Sequence, residues 1–372
     1  MTGLPSTCKA VVLHEFGEQL KIEDVKMPEH VEPGAVLVKS EMVTICGTDI
    51  HFWLGEVAGR SEVKLPTIPG HESVGRVAKL GEGVTHDSVG QPLKEGDRII
   101  WTHGRCGSCY FCTVLHEPTL CPNSQLHSKS SCHDFPYVLG RFSEYCYVVP
   151  TAGRIKVPDE VSSAVASAAS CALRSVVHGY DRLGRLSFDD MVVVQGAGPI
   201  GLFALAMAVA AGVAKTILIG APARRLTLAQ HWGATHTINM DEVPDPAKRR
   251  DMVLEMTEGR GADVVMECSG GATAFTEGLE LARRDGRYLI IGQWGSQKVS
   301  FDTSTVVKRQ LDIIGVLSGH TDHYYRALEF MKNNAHRFSF DEMISNRYRF
   351  ADTYQAFQSM KALKEIKPVI VF

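Results

Sequence analysis

One glycine-rich segment constrains the fold of this chain most: GAGPIG, whose glycines are Gly196, Gly198 and Gly201. It directly follows a predicted strand at 191–194 and opens a predicted apolar helix at 200–211. In such a strand–turn–helix context, glycines let the main chain approach a pyrophosphate, and the helix N-terminus supplies amide donors. The segment therefore predicts a dinucleotide site. The alternative is a glycine turn that only packs the helix on the strand.

Strands and helices alternate around this segment. Strands are predicted at 216–219, 262–267 and 288–291, with helical patterns between them. This alternation favours an α/β fold with a doubly wound parallel sheet. Residues before about 150 instead hold short β-branched runs and turn signals, which indicates a mostly β domain. Since 372 residues exceed the usual size of one core, we expect two domains.

The position at which dinucleotide folds bind the adenosine ribose carries no acid in this chain. Gly220 stands there, and Arg224 and Arg225 follow shortly after it. A carboxylate would bind the ribose hydroxyls of NAD and repel a 2′-phosphate, whereas a small residue followed by arginines suits that phosphate. We therefore expect NADP slightly ahead of NAD. The alternative is that an arginine only flanks the adenine of NAD.

Four closely spaced cysteines predict a structural metal site: Cys106, Cys109, Cys112 and Cys121. Four thiolates at this spacing suit a closed, tetrahedral zinc. Chance clustering of buried thiols and an iron–sulfur centre are the alternatives. Because the spacing is typical of zinc sites rather than of a disulfide framework, it favours a reducing, cytoplasmic location.

A second set of metal donors is spread over three segments. Cys46 opens the sequence CGTDIH, His71 stands in GHE, and Cys171 lies within residues 161–182, whose small and apolar residues have helical spacing. Each residue alone would more often be an ordinary core residue. Together, two thiolates and an imidazole leave a fourth position open, which is the pattern of a catalytic zinc.

Composition and charge argue against several partners. With a net charge of −3 and 22% charged residues, the chain shows no bias towards nucleic acid or anionic membranes. Residues 1–10 lack the apolar core of a signal peptide, and the most apolar run, 200–214, is too short to cross a bilayer. We therefore expect no nucleic-acid or membrane partner.

Taken together, these motifs resemble the zinc-dependent medium-chain dehydrogenase/reductase family, in its alcohol, sorbitol and threonine dehydrogenase group. The resemblance covers nearly the whole chain and implies a GroES-like catalytic domain with a structural-zinc lobe at 1–172. It further implies a Rossmann domain at 173–318 and a return to the catalytic domain at 319–372, in a homodimer or homotetramer. The motifs that carry it are CGTDIH (46–51), GHESVG (70–75), the cysteine lobe (106–121), FSEY (142–145), GAGPIG (196–201) and ECSG (267–270).

The resemblance implies catalytic roles for residues around the proposed zinc, with Cys46, His71 and Cys171 as its ligands. Thr48 would supply the hydroxyl that touches the substrate oxygen, and His51 would end a proton relay to solvent. An alternative for His51 is a histidine with no part in catalysis. Asp49 falls where the family has a partner of the zinc histidine. Glu72 would be a transient or water-mediated ligand.

The resemblance also implies contacts to the cofactor. Ser175 matches a position near the nicotinamide amide, Ile200 an apolar residue behind the nicotinamide ring, and Lys367 a basic residue near the pyrophosphate. The substrate pocket has only weak candidates, for which ordinary packing is the alternative. If they line the pocket, the substrate is bulky and apolar. These candidates are Phe52, Trp53 and Phe135.

The activity that the resemblance implies is hydride transfer between a primary or secondary alcohol and NAD(P), by a zinc-dependent alcohol dehydrogenase or carbonyl reductase. A polyol or amino-alcohol dehydrogenase is the first alternative. A non-catalytic nucleotide-binding zinc protein is an alternative of another class, and a zinc-free quinone reductase is a third. The zinc triad with Thr48 and His51 argues against the last two, because neither needs a path for a proton.

Overall fold

The computed structural model describes residues 4–56, 63–293 and 298–372. Contacts between Cα atoms divide the chain into two compact units. The first unit comprises Met1–Arg174, Gly319–Asn333 and Ile344–Phe372, and the second comprises Ser175–Ser318 and Asn334–Met343. Within the described part of the chain, none of the helices is long and apolar enough to cross a membrane.

The described residues form strands and helices in the following order. The strands are β1 (Thr7–Val12), β2 (Lys21–Lys26), β3 (Val36–Thr44), β4 (Ser73–Leu80), β5 (Arg98–Trp101), β6 (Tyr145–Val148), β7 (Arg154–Lys156), β8 (Met191–Gln195), β9 (Lys215–Gly220), β10 (His236–Asn239), β11 (Ala262–Glu267), β12 (Ala282–Ile290), β13 (Asp312–Gly315), β14 (Ile344–Arg349) and β15 (Lys367–Val371). The helices are α1 (Gly47–Trp53), α2 (Tyr110–Thr113), α3 (Ser163–Ala168), α4 (Arg174–Leu183), α5 (Pro199–Ala211), α6 (Ala223–His231), α7 (Pro246–Met256), α8 (Ala272–Leu281), α9 (Thr303–Arg309), α10 (Thr321–Asn334) and α11 (Thr353–Lys361).

The first unit is built on a mixed sheet that the end of the chain completes. Its strand order is β14-β15-β3-β4-β5-β7, and β6 also pairs with β3. Strand β15 lies antiparallel to β3, with Val369 opposite Thr44. Val36, Leu37 and Val38 of β3 are fully buried, because apolar residues cover both faces of this central strand.

The second unit is a six-stranded parallel sheet in the order β10-β9-β8-β11-β12-β13. Strand β8 lies at its centre, and Val192, Val193 and Val194 are completely buried. The chain runs from β8 to β9 on one side, while β11 lies on the other side, so the loop after β8 lies at the point where the strand order reverses. This topology confirms the predicted α/β class, and the first unit supplies the predicted mostly β part.

Two local features depart from a simple pattern. The helical spacing predicted over 161–182 is interrupted, because α3 is followed by a π-helical turn at Ala169–Leu173 before α4 begins. A short segment, Asn334–Met343, belongs to the second unit. Its Phe340 ring packs edge-on against Trp232, at 5.6 Å between ring centroids, and this aromatic contact explains why the segment joins that unit.

Candidate metal centres and nucleotide site

Four metal-binding side chains converge in the first unit. Donor atoms of Cys46, His71, Glu72 and Cys171 all lie within 4.8 Å of one another. Cys46 caps the N-terminus of α1, His71 and Glu72 directly precede β4, and Cys171 lies in the π-helical turn. The fold thus brings together the three donors predicted from separate segments. We call these four residues, which are the three predicted zinc ligands and Glu72, the triad cluster.

Asp49 orients two members of the triad cluster. Its Oδ1 lies 3.0 Å from Nδ1 of His71, and its Oδ2 accepts a hydrogen bond from the main-chain N–H of Cys46 at 2.8 Å. Asp49 is only 2% exposed, so both contacts are shielded from water. With Nδ1 facing the carboxylate, Nε2 of His71 is left to face the cluster. This carboxylate–histidine arrangement is the usual support of a metal-binding imidazole.

Glu72 forms a buried ion pair with Lys367 behind the cluster. The Lys367 ammonium contacts Oε2 of Glu72, and the two side chains are 1% and 0% exposed. Thr44 Oγ1 donates to the same oxygen at 2.6 Å. The resemblance places Lys367 near a pyrophosphate, whereas here its ammonium is held on Glu72. Burial raises the pKa of Glu72 to about 7, against the opposing effect of Lys367.

The donor set of the triad cluster fits a zinc ion. Oε1 of Glu72 is buried, has no hydrogen-bond partner among the described residues, and lies 4.0 Å from Nε2 of His71. An unpaired buried carboxylate oxygen is costly, and a cation beside it removes that cost. Two thiols, an imidazole and a carboxylate are the donors that zinc binds in proteins. Cys46, His71 and Cys171 could therefore hold zinc, with Glu72 as a further donor.

The four cysteines of the 106–121 lobe form a second cluster. The sulfurs of Cys106 and Cys121 are 3.5 Å apart, and those of Cys109 and Cys112 are also 3.5 Å apart. All four sulfurs lie within 4.8 Å of one another. A tetrahedral zinc with Zn–S bonds of about 2.3 Å requires sulfur separations of about 3.8 Å. The lobe therefore fits a closed, structural zinc site with only a small adjustment.

Thr48 and His51 lie on α1, one helical turn apart and therefore on the same face. Thr48 is exposed, and its main-chain N–H donates to Cys46 Sγ at 3.4 Å. The His51 side chain is 17% exposed, and its Nδ1 lies 2.7 Å from Oε2 of Glu56. Sequence reasoning missed Glu56, because it stands beyond the helix and belongs to no motif. The spacing of an acid five residues after the histidine was the only available signal.

Sequence reasoning also missed two half-buried histidines of the first unit. The rings of His103 and His127 are 6.1 Å apart. Burial lowers the pKa of both, that of His127 to about 3 with a further contribution from His71, so both imidazoles are neutral at physiological pH. Nδ1 of His127 is buried and has no hydrogen-bond partner among the described residues. Neither residue belongs to a recognisable motif.

The three candidates for the substrate pocket have different surroundings. Phe52 is buried, and its ring meets the edge of His127 at 5.4 Å. Trp53 is 3% exposed, packs edge-on against Tyr354, and donates from Nε1 to the Glu18 carbonyl at 2.6 Å. These contacts make Trp53 a core residue.

Phe135 also has contacts that differ from those of a pocket residue. It is 45% exposed and stacks on His30 at 6.4 Å. Its other aromatic neighbours are Tyr137 and Tyr147, in the apolar core around β6. Of the three candidates, only Phe52 therefore contacts His127, whose pKa is lowered in part by His71.

In the second unit, the glycine segment has the close contacts that require glycine. Gly196 has φ of +106°, a left-handed conformation that side chains disfavour. A Cβ at Gly201 would lie 1.8 Å from the Gly196 carbonyl oxygen, so helix α5 packs directly on the turn. A Cβ at Gly198 would meet nothing within 4 Å. The main chain at Gly198 is therefore open to a ligand, and Ile200 lies half-buried in the first turn of α5.

Gly220, at the end of β9, has no room for a side chain. A Cβ there would lie 2.6 Å from that of Ala197. An acidic residue at this position would therefore displace the glycine segment. Of the two arginines that follow on α6, Arg224 is exposed, whereas Arg225 is buried at 8% exposure. Burial lowers the pKa of Arg225, so only Arg224 is placed to meet a phosphate in solvent.

One further predicted cofactor contact is buried. Ser175, on α4, is 7% exposed. The ECSG motif (267–270) closes a tight loop after β11, because Oε1 of Glu267 accepts hydrogen bonds from the main-chain N–H groups of Ser269 and Gly270 at 2.7 and 2.8 Å. This loop lies at the carboxyl end of the central strands, where ligands of such sheets bind.

Comparisons with known proteins agree with this architecture. Residues 32–159 match the alcohol dehydrogenase GroES-like domain, and residues 199–333 match the zinc-binding dehydrogenase model. The chain is 35% identical over 358 residues to 5-exo-hydroxycamphor dehydrogenase of Pseudomonas putida, covering 95% of this chain and 96% of that protein. It is 31% identical to a probable D-xylulose reductase A of Aspergillus clavatus, covering 95% and 93% of the two chains.

A solved structure agrees as well. The crystal structure of an alcohol dehydrogenase from Thermotoga maritima superposes with a TM-score of 0.91 at 31% identity, and the match covers 99% of this chain and 100% of that one. The likeness in sequence and in fold thus extends over both units. The chain therefore belongs to the zinc-dependent medium-chain dehydrogenase/reductase family and is an oxidoreductase that acts on alcohols.

Proposed function

We propose that this chain is a zinc-dependent alcohol dehydrogenase or carbonyl reductase that transfers hydride between a primary or secondary alcohol and a nicotinamide cofactor. The triad cluster is the observation that carries the proposal. Its four donors lie within 4.8 Å of one another, and Asp49 orients the imidazole of His71. Zinc, when bound there, supplies Lewis-acid chemistry at an alcohol or carbonyl oxygen.

The residues of the chain then hold the metal and move a proton. Cys46, His71 and Cys171 would hold the metal, and Oε1 of Glu72 would be a further donor. The Thr48 hydroxyl orients the substrate oxygen and accepts its proton. His51, which lies on the same face of α1 as Thr48, would receive this proton, and Oε2 of Glu56 orients the imidazole at 2.7 Å from its Nδ1.

The proton path predicts a pH-dependent effect of His51→Gln. Because glutamine cannot take up a proton, we expect turnover to fall on the order of tenfold at pH 7 and progressively less at higher pH. The pH–rate profile of alcohol oxidation is the measurement. His14→Gln is a matched control, since His14 forms a similar, exposed pair with Glu23 at 3.0 Å. A profile of His51→Gln that coincides with the wild type removes His51 from the relay.

NADP is the proposed cofactor, slightly ahead of NAD. Gly196, Gly198 and Gly201 bind the pyrophosphate through the main chain, and Ile200 and Ser175 contact the nicotinamide end. The crowding between Gly220 and Ala197 excludes an acid from the ribose position. Arg224, exposed on α6, is then the cation available for a 2′-phosphate.

The cofactor proposal predicts that Arg224→Gln raises the KM for NADP about tenfold and leaves that for NAD within about twofold. The loss of one charge-assisted hydrogen bond to a phosphate has this magnitude. Steady-state kinetics with both cofactors, side by side, provide the measurement. Arg250→Gln is the control, because the Arg250 side chain on α7 is 39% exposed and pairs with Asp251. Equal changes for both cofactors would contradict the proposed contact.

The substrate is proposed to be a bulky, largely apolar secondary alcohol. Phe52 provides an apolar wall next to His127, and one relative is named for a hydroxycamphor, which is a cyclic alcohol. A polyol is the second candidate. Two observations favour it: the unpartnered Nδ1 of the neutral His127 could bind an additional hydroxyl, and another relative is named a D-xylulose reductase.

A panel of cyclic alcohols, aromatic alcohols and polyols separates these candidates. Turnover is measured with NAD and NADP while zinc is counted on the same sample. Two zinc ions per chain together with preference for cyclic alcohols support the proposal, and preference for polyols selects the second candidate. A protein that binds cofactor but oxidises none of the panel contradicts both. A cytoplasmic location and a homodimer or homotetramer stay predictions.

A further inference from the structure

Arg174 stands directly after the π-helical turn that carries Cys171. The main-chain N–H of Arg174 donates to the Ala169 carbonyl, five residues back, as expected of a π turn. Nε of the same residue donates to the Ser170 carbonyl at 3.2 Å. The main chain and the side chain of one residue therefore bond to two successive carbonyls, and these bonds hold the turn in its shape.

The same guanidinium also contacts a proposed zinc ligand. Nη2 of Arg174 donates to Cys171 Sγ at 3.7 Å, within hydrogen-bonding distance for sulfur. Arg174 is 5% exposed, so water does not screen this contact. An arginine remains charged at every physiological pH, and hydrogen bonds from charged donors are the stronger ones. The contact therefore lowers the electron density that Cys171 can donate to a metal.

Packing holds the Arg174 side chain in this position. The aromatic ring of Tyr324, which is 2% exposed, lies 5.5 Å from the guanidinium carbon. A Cβ at Gly319 would lie 3.0 Å from Cδ of Arg174, so glycine at this position leaves room for the arginine stem. Tyr324 and Gly319 both belong to the first unit, as Arg174 does.

The other buried cation of the site has a different partner. The Lys367 ammonium contacts Glu72, whereas the Arg174 guanidinium donates to the sulfur of Cys171. Arg174 therefore acts directly on a proposed zinc ligand.

We propose that Arg174 is a positioning residue for Cys171. Arg174 holds the π turn that carries Cys171 and reduces the charge that the Cys171 thiolate donates to the metal. This inference rests on the proposed function, because it requires zinc at the triad cluster. It predicts that Arg174→Gln keeps two zinc ions per chain but loses turnover about tenfold, the lower end of the range for groups that support a metal ligand.

The test uses the full chain with cobalt(II) in place of zinc, because cobalt–thiolate charge-transfer absorption reports the electron density on sulfur. The spectrum of the Cys46→Ser protein is subtracted from each spectrum, which removes the absorption of the 106–121 lobe. If the wild-type difference spectrum lacks a thiolate band, the proposed function fails. If that band is present, Arg174→Gln is expected to shift it to longer wavelength, since a more electron-rich thiolate is oxidised more easily.

Two lysine variants complete the design. Arg174→Lys keeps a charge but replaces the separate Nε and Nη2 donors by a single nitrogen, so we expect a smaller shift in the same direction. Arg141→Lys is the matched control, because Arg141 is buried in the same unit and donates to Ser73 and to the Trp101 carbonyl. Its band is expected to stay in place.

An unshifted band in Arg174→Gln overturns the inference. If that variant does not fold, Arg174→Lys decides alone, and an unshifted band in Arg174→Lys then overturns it.

Discussion

Replacing Cys46 by serine is expected to remove one of two zinc ions and to lower turnover at least on the order of a thousandfold. Serine is a neutral, hard donor and is a poor substitute for a thiolate ligand. Helix α1 should nevertheless keep its capping box, because a serine at this position can still accept from the main chain while Asp49 accepts from its N–H. The loss would then report the metal rather than the fold.

Metal analysis and turnover on the same samples check this expectation. The wild type should hold two zinc ions per chain and Cys46→Ser only one. Cys132→Ser is the control, because Cys132 is a buried free cysteine outside both clusters and should keep both ions. An active Cys46→Ser protein with two zinc ions per chain would show that the ligand assignment is wrong.

Lys367→Met is expected to lower the free energy of unfolding by about 3–5 kcal/mol, the usual cost of leaving a buried charge unpaired. The substitution removes the cation beside Glu72, whose side chain is 0% exposed, so that the carboxylate must either stay unpaired or take up a proton. Thr44 would remain as one donor to it. Adding Glu72→Gln to Lys367→Met removes the unpaired charge, so the double variant should recover most of the loss.

Urea unfolding of the zinc-bound protein measures both effects. Lys156→Met is the matched control, since Lys156 pairs with Asp97 at 3.0 Å but is 33% exposed. We expect it to cost at most about 1 kcal/mol, because water already screens such a pair. Equal losses for Lys367→Met and Lys156→Met, or no recovery in the double variant, would contradict the importance of the buried pair.

The family and the fold class could be predicted because their signals are local. The spacing of Cys106, Cys109, Cys112 and Cys121 lies within one short segment, and the glycine segment carries its strand and helix on either side. Both signals can be recognised from the order of neighbouring residues alone. The family matches and the parallel six-stranded order of the second unit confirm these predictions.

Other properties of the chain depend on which side chains point inward. Arg224 and Arg225 are adjacent in sequence, yet one is exposed and the other buried, because neighbours on α6 face in different directions. The sequence makes Phe135 and Trp53 equally plausible pocket residues. In the structure Phe135 packs against Tyr137 and Tyr147, and Trp53 packs against Tyr354. The interruption of the helix at Ala169–Leu173 had no sequence signal, because small apolar residues are compatible with both helical geometries.

The kinds of donor, the glycine turn and the alternation of strands and helices can all be predicted from the sequence, since each is a pattern among near neighbours. The partners of those donors depend on tertiary contacts. Lys367 meets Glu72 because β15 pairs with β3 at the end of the chain, and Arg174 meets Cys171 because a π turn separates α3 from α4. Burial then sets the strength of these contacts, and burial is a property of the packed chain.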